Sequence, residues 1–276
     1  MQLAVFIASS SPTELRALLQ RAAGTGFRAV QLQPRYAVDG DEWRAIAAEL
    51  NRLELRVIAM GGYANPLQVK DAAASVAELQ NTIKHAASLG CKLVVTWSGT
   101  RGDTLFDDDP ANDSAESWAG TVAHFREVAG WAEEADVTVG VEPFHNHVAR
   151  SPDRLRDLLD EVDSRRIGAV MDPPNFVKAD EIEDVNSRME SMFQTLADRI
   201  VLVHAKDLRR PHPGEQRRVI DHVALPHPGD GILDYQLYGH LTRQYYRGPV
   251  VIEHVTEETM AIALAYVTDH MGVSDD

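Results

Sequence analysis

Eight short apolar runs recur along this chain, at 3–7, 29–32, 56–60, 92–97, 137–142, 167–172, 200–204 and 250–253, with helix-period segments between them. Leu15, Leu18, Leu19 and Ala22 fall at i, i+3, i+4 and i+7, one face of a helix, and Trp43, Ile46, Ala47 and Leu50 repeat the spacing. Looser versions run through Trp118, Val122, Phe125 and Ala129, and through Ile182, Val185, Met189, Met192, Phe193 and Leu196. Near-continuous apolar strands bury both faces, so their alternation with amphipathic helices calls for a parallel sheet covered by helices. Eight such units predict a closed (βα)8 TIM barrel, with an open doubly wound sheet as the weaker alternative. No linker or low-complexity tract divides the 276 residues, so 1–276 is expected to be a single domain.

Helix starts are marked. Ser11-Pro12-Thr13-Glu14 reads as a capping box with proline at the first helical position, and Ser151-Pro152-Asp153-Arg154 opens a second helix in nearly the same way. Leu15, Leu18 and Leu19 then match Leu155, Leu158 and Leu159. A half-barrel duplication would leave this trace, and capping plus helical period alone produce much of it. The longest stretch without regular pattern, 208–232, carries Arg209, Arg210, His212, Arg217, Arg218 and His222 and ends in Pro228-Gly229-Asp230-Gly231. Long loops in compact barrels are usually lids or binding loops, so this one is expected to cover the site.

The formal charge is −15, which repels phosphate backbones and leaves no basic footprint for nucleic acid. Cys91 is the only cysteine, so no intrachain disulfide can form, and its apolar neighbours make it a buried strand residue rather than a nucleophile. The N-terminus lacks a charged segment before its apolar run and reads as a first strand, not a signal peptide. No apolar run approaches the roughly 20 residues that span a bilayer. A cytoplasmic protein with no membrane contact is expected.

Four of the strand runs end in a side chain able to ligate a metal: Glu142, Asp172, His204 and Glu253. Each has an ordinary reading. Glu142 caps a helix, Asp172 before Pro173 forms a turn, His204 packs in a core, and Glu253 ends a strand. Four ligand types at strand ends are together hard to explain that way. In a parallel barrel these ends converge on one rim. Three carboxylates buried together without a cation are very costly, and a divalent cation removes that cost. Three oxygen donors and one imidazole suit Mn²⁺ or Mg²⁺, with Co²⁺ or Zn²⁺ as alternatives.

Five stretches carry a family resemblance: Val141-Glu142-Pro143-Phe144-His145-Asn146, Met171-Asp172-Pro173-Pro174-Asn175, Val203-His204-Ala205-Lys206-Asp207, residues 228–235 and Val251-Ile252-Glu253-His254. In order and strand position they resemble the xylose isomerase-like barrel superfamily of sugar isomerases and epimerases over essentially the whole chain. The resemblance to its ketose 3-epimerases implies that Glu142, Asp172, His204 and Glu253 bind one Mn²⁺, Mg²⁺ or Co²⁺, with Glu142 and Glu253 as the acid/base pair. Such a metal grips a carbonyl and its neighbouring hydroxyl and stabilises an enediolate, while one carboxylate removes a proton and the other returns it to the opposite face. The implied substrate is a small sugar or cyclitol.

The chain departs from the ketose epimerases in two places. Phe144-His145-Asn146-His147 replaces their usual loop, and Asn175 stands where many carry histidine. These changes leave open a lyase or dehydratase, of the inosose dehydratase or 3-keto-glycoside-cleaving kind, with His145 as base. A non-catalytic sugar-binding or partner subunit is a third reading, and the intact ligand set argues against it. An endonuclease IV-type trinuclear zinc enzyme needs histidines on early strands, where the third and fourth runs end in Gly61-Gly62 and Trp97-Ser98. Further substrate contacts are expected from Asn175, Lys206, Asp207, Arg210 and Trp97, with Tyr63 and Asn65 as weaker wall candidates. Lys206 and Asp207 are alternatively a pair. Strand alternation turns His254 away from Glu253, and His85 and His124 read as surface or packing residues. Many relatives are dimers or tetramers, so a homo-oligomer stays open.

Overall fold

The computed structural model describes residues 1–68, 71–178, 180–210 and 225–272. Its strands are β1 (Leu3–Ser9), β2 (Ala29–Pro34), β3 (Arg56–Gly61), β4 (Leu93–Trp97), β5 (Thr138–Glu142), β6 (Ile167–Met171), β7 (Ile200–Ala205) and β8 (Val250–Ile252). They pair in parallel and in chain order, and β8 closes on β1 through Leu3 opposite Val250 and Val5 opposite Ile252. Between them run α1 (Pro12–Thr25), α2 (Gly40–Arg52), α3 (Ala72–Ala86), α4 (Ala115–Ala135), α5 (Pro152–Val162), α6 (Val185–Leu196), α7 (Tyr235–Tyr245) and α8 (Met260–Met271). The expected (βα)8 TIM barrel is what forms. None of the described helices is long and apolar enough to cross a membrane.

The capping residues act as their sequence suggests. Ser11 Oγ accepts from the Glu14 amide at 3.2 Å, and Ser151 Oγ accepts from the Arg154 amide at 3.2 Å. The Glu14 carboxylate reaches back to the amide of Ser10, one residue before the cap. The apolar stripes face the barrel: Leu15, Leu19 and Ala22 are buried on α1, and Trp43, Ile46 and Leu50 on α2. Cys91 is buried as expected, two residues before β4 begins, with its thiol against the Leu93 carbonyl.

Period-two alternation splits each strand between two cores. Leu3, Val5, Val30, Val139, Val203 and Val250 pack outward beneath the helices. Ala4, Ala29, Ala59, Val95, Val170, Leu202 and Val251 fill the barrel interior with mostly small side chains. Glycine is needed where β6 meets β7: a Cβ at Gly168 would lie 2.3 Å from Val201 Cγ1 and 2.9 Å from the Arg199 carbonyl. The inward phase decides which polar residues meet. Gln31 and His204 share it with Ala29 and Leu202 on their strands, Glu142 takes the phase opposite to the outward Val139 and Val141, and Asp172, Lys206 and Glu253 continue it one residue past β6, β7 and β8.

Candidate metal centre

Glu142, Asp172, His204 and Glu253 come together, all buried, with one ligand atom from each within 4.8 Å of the others. They are the group of this kind among the described residues. His204 Nδ1 lies 3.3 Å from Glu253 Oε1, 3.5 Å from Asp172 Oδ2 and 3.6 Å from Glu142 Oε2. Lys206, two residues on and wholly buried, brings its ammonium to 2.7 Å from Asp172 Oδ2, 3.3 Å from Glu253 Oε2 and 3.9 Å from Glu142 Oε1. The Asn175 amide donates to both Glu142 Oε1 and Asp172 Oδ2 at 2.9 Å.

A ring of polar side chains orients the ligands. His204 Nε2–H donates to Gln31 Oε1 at 3.1 Å, which turns Nδ1 toward the carboxylates, where a cation would displace its proton. Gln31 in turn donates to the Tyr63 hydroxyl at 3.2 Å, and that hydroxyl donates to Glu142 Oε2 at 2.8 Å. Burial and the surrounding carboxylates, Glu142 above all, hold the Tyr63 hydroxyl well above the usual phenol range, so it stays a donor. Gln31 was not singled out from sequence, yet a signal exists: a polar side chain in an otherwise apolar strand, on the inward phase.

The donor set fits a divalent cation. Asp172 Oδ1 and His204 Nδ1 are buried with no hydrogen-bond partner, an arrangement that costs free energy unless something else meets those lone pairs. Burial raises the Glu142 carboxyl, Glu253 and Asp172 add to it against His204 and Lys206, and the result is about 7. Burial by itself lowers the His204 imidazole, but the charges of Glu253, Glu142 and Asp172 outweigh it and carry it to about 9. Asp172 stays below the usual carboxylate range in spite of burial, because Lys206 and His204 face it. The cluster therefore draws positive charge.

A cavity of about 550 Å³ opens beside the cluster, within the range that holds small ligands. Glu142 and Glu253 form part of its lining, with Trp97, Tyr63, Phe6 and Phe106 among its walls. Trp97 and Tyr63 pack ring to ring at 4.6 Å. His254 lines the same cavity, contrary to the alternation argument. The strand ends at Ile252 and His254 takes a left-handed backbone (φ 55°), so period two no longer applies.

Other expected site residues sit elsewhere. Asp207 does not pair with Lys206; its carboxylate accepts amides of Leu208 (2.8 Å), Gly229 (3.0 Å) and Leu233 (3.0 Å), stapling both ends of the loop after β7. Gly231 is required against it, since a Cβ there would lie 2.1 Å from Asp207 Oδ1. Arg210 is exposed and paired with Glu183 at 2.6 Å, and it is not in the cavity lining. His145 is also outside that lining. Its ring packs on Phe144 at 4.4 Å, its Nδ1 is buried without a partner, and burial, with Lys178 nearby, lowers it to about 4. His147 Nε2 donates to the Leu105 carbonyl at 2.9 Å, tying this stretch to the loop after β4. Asn65 bridges the loops after β3 and β4 by donating to the Thr100 carbonyl and accepting its amide, both at 3.0 Å. His124 packs inside α4 against Phe125 and Trp131, and His85 stacks on Trp43. Of the long loop, 211–224, with His212, Arg217, Arg218 and His222, lies outside the described residues.

No curated protein matches the chain by sequence. Among solved structures, an L-ribulose 3-epimerase superposes with a TM-score of 0.76 at 17% identity, over 99% of this chain and 95% of its own. The probable 3-DHS dehydratase of petrobactin synthesis from Bacillus anthracis gives 0.73 at 15% identity, over 97% and 99%. A xylose isomerase-like TIM barrel protein from Mycobacterium smegmatis, in complex with magnesium, gives 0.70 at 14%, over 95% and 90%. At these identities the likeness is one of fold. A family model for the xylose isomerase-like TIM barrel matches residues 19–270, nearly the whole chain, and the protein belongs to that family.

Proposed function

We propose that this protein is a divalent-metal-dependent isomerase or epimerase that moves a proton on the carbon beside a carbonyl, in a small sugar or cyclitol. One observation carries the reading. Of the four clustered ligands, Glu142 and Glu253 alone line the cavity, and they come from β5 and the end of β8, three strands apart on an eight-stranded ring. That separation suits two carboxylates working on opposite faces of one carbon.

A divalent ion held by Glu142, Asp172, His204 and Glu253, Mn²⁺ for preference, would supply positive charge to the carbonyl oxygen and its neighbouring hydroxyl. The chain's own residues do the rest. One glutamate takes the proton, and the other delivers a proton to the opposite face, inverting the centre. Tyr63 steadies Glu142 and Lys206 steadies Glu253, each by a hydrogen bond to a single carboxylate oxygen. Trp97, Tyr63 and Phe106 give the substrate apolar walls and keep bulk water from the reacting carbon.

The test is hydrogen exchange. Mn²⁺-loaded protein incubated with a panel of ketoses and keto-inositols in D₂O is expected to place deuterium on the carbon beside the carbonyl. Glu253→Gln should lower that rate about 10²–10⁴-fold, with bound metal verified by elemental analysis. A second reading, elimination by a lyase or dehydratase, rests on His145, a neutral imidazole with an unpartnered Nδ1. Under it, His145→Ala loses the exchange and an elimination product accumulates in the wild type. Under the epimerase reading, His145→Ala keeps most of its exchange. Absence of exchange across the panel in fully loaded protein refutes both and favours a sugar-binding role.

A further inference from the structure

Glu142 and Glu253 divide their oxygens between two neighbours, while Asp172 Oδ2 faces both, Lys206 Nζ at 2.7 Å and His204 Nδ1 at 3.5 Å. Glu253 Oε1 and Glu142 Oε2 face His204 Nδ1 at 3.3 and 3.6 Å. Glu253 Oε2 and Glu142 Oε1 face Lys206 Nζ at 3.3 and 3.9 Å. Asp172 gives Oδ2 to Lys206 at 2.7 Å and to the Asn175 amide, while its Oδ1 meets no hydrogen-bond donor. The ammonium and the imidazole Nδ1 thus meet different oxygens of Glu142 and of Glu253 and share Asp172 Oδ2.

We infer that Lys206 is a resident counter-ion of this centre, occupying a second cation position beside the metal and setting the site's charge for a divalent ion. The inference rests on the metal-centre reading above. With an ion bound, the three carboxylates carry −3, a His204 that has given its Nδ1 to the ion adds nothing, and one ammonium leaves −2, which a single divalent ion cancels. Lys206 is wholly buried and outside the cavity lining, so it is a positioning residue that acts through Asp172 and Glu253. Its placement follows from the fold: two residues past His204, it keeps the inward phase of β7. The Tyr235 hydroxyl holds the Lys206 carbonyl at 3.1 Å, which anchors the backbone there.

Two ions of different charge test this in the full-length protein after chelation and dialysis. Mn²⁺ and Tb³⁺ are titrated separately, with Tb³⁺ followed by emission sensitised through Tyr63 and Trp97, which line the adjoining cavity. Lys206→Met removes one positive charge, so both ions should bind more tightly and the trivalent ion should gain more. The Tb³⁺ over Mn²⁺ preference should rise by about tenfold or more. Metal-free Lys206→Met should also melt about 5 °C or more below wild type, since a buried carboxylate cluster loses its internal cation. Lys206→Arg keeps the charge and should hold the wild-type ion ranking. Lys206→Gln keeps a donor without charge, and it decides the matter should the methionine variant not fold. An unchanged ion ranking in folded Lys206→Gln overturns the inference while leaving the metal centre standing. Wild-type protein that binds neither ion overturns the metal centre and the inference together.

Discussion

Replacing Gln31 with leucine would remove the contact that turns His204 Nδ1 toward the carboxylates, where the proposed metal would bind. In the wild type His204 Nε2–H donates to Gln31 Oε1 at 3.1 Å, and both residues are fully buried. With leucine there, the imidazole proton has no acceptor. Either a buried N–H stays unpaired, at about 1–3 kcal/mol, or the proton moves to Nδ1 and takes the lone pair from the cation. The same change cuts the link from Gln31 to the Tyr63 hydroxyl and so loosens the donor to Glu142. Loss of such an orienting partner lowers metal affinity about 10–100-fold, or roughly 1.4–2.7 kcal/mol. Isothermal titration of Mn²⁺ into chelated wild type and Gln31→Leu measures this directly. Tyr63→Phe, which leaves the His204 contact intact, should weaken binding less. A folded Gln31→Leu protein whose Mn²⁺ dissociation constant lies within twofold of wild type would refute the argument that Gln31 selects the tautomer.

Two further outcomes are expected. Mn²⁺ at a hundred times its dissociation constant should stabilise the fold by about 2.7 kcal/mol, raising Tm by roughly 5–10 °C in a thermal melt, and EDTA should reverse the shift. The gain should shrink in acid, where the ligands are protonated. Separately, burial lowers His124 from 6.5 to about 4. The folded imidazole refuses a proton that the unfolded chain accepts, so this contribution is complete above about pH 6.5 and is lost as the pH falls toward 4. The loss is about 3 kcal/mol over that window. Urea midpoints at pH 7.5 and 4.5 should differ less in His124→Phe than in wild type, and an identical difference would show that His124 is not excluded from water.

The sequence by itself determined the architecture and singled out the four residues that cluster. Alternating apolar runs and helix-period segments are local consequences of where side chains point along a strand or a helix, so eight βα units were legible from end to end. Glu142, Asp172, His204 and Glu253 were legible for the same reason, because strand ends of a parallel barrel share a rim. The tertiary structure decided which neighbours surround them. Gln31 reaches His204 from 173 positions away, a contact that appears only once β2 and β7 share one interior. Lys206 and Asp207 look equivalent as adjacent polar residues, yet alternation sends one into the carboxylate cluster and the other to three loop amides. His254 shows where local periodicity ends. Its left-handed backbone breaks the alternation just after the strand, and so a side chain expected to point away lines the cavity with Glu253. Periodicity holds only while the backbone is regular, and around this site it is the loops leaving the strands that set the contacts.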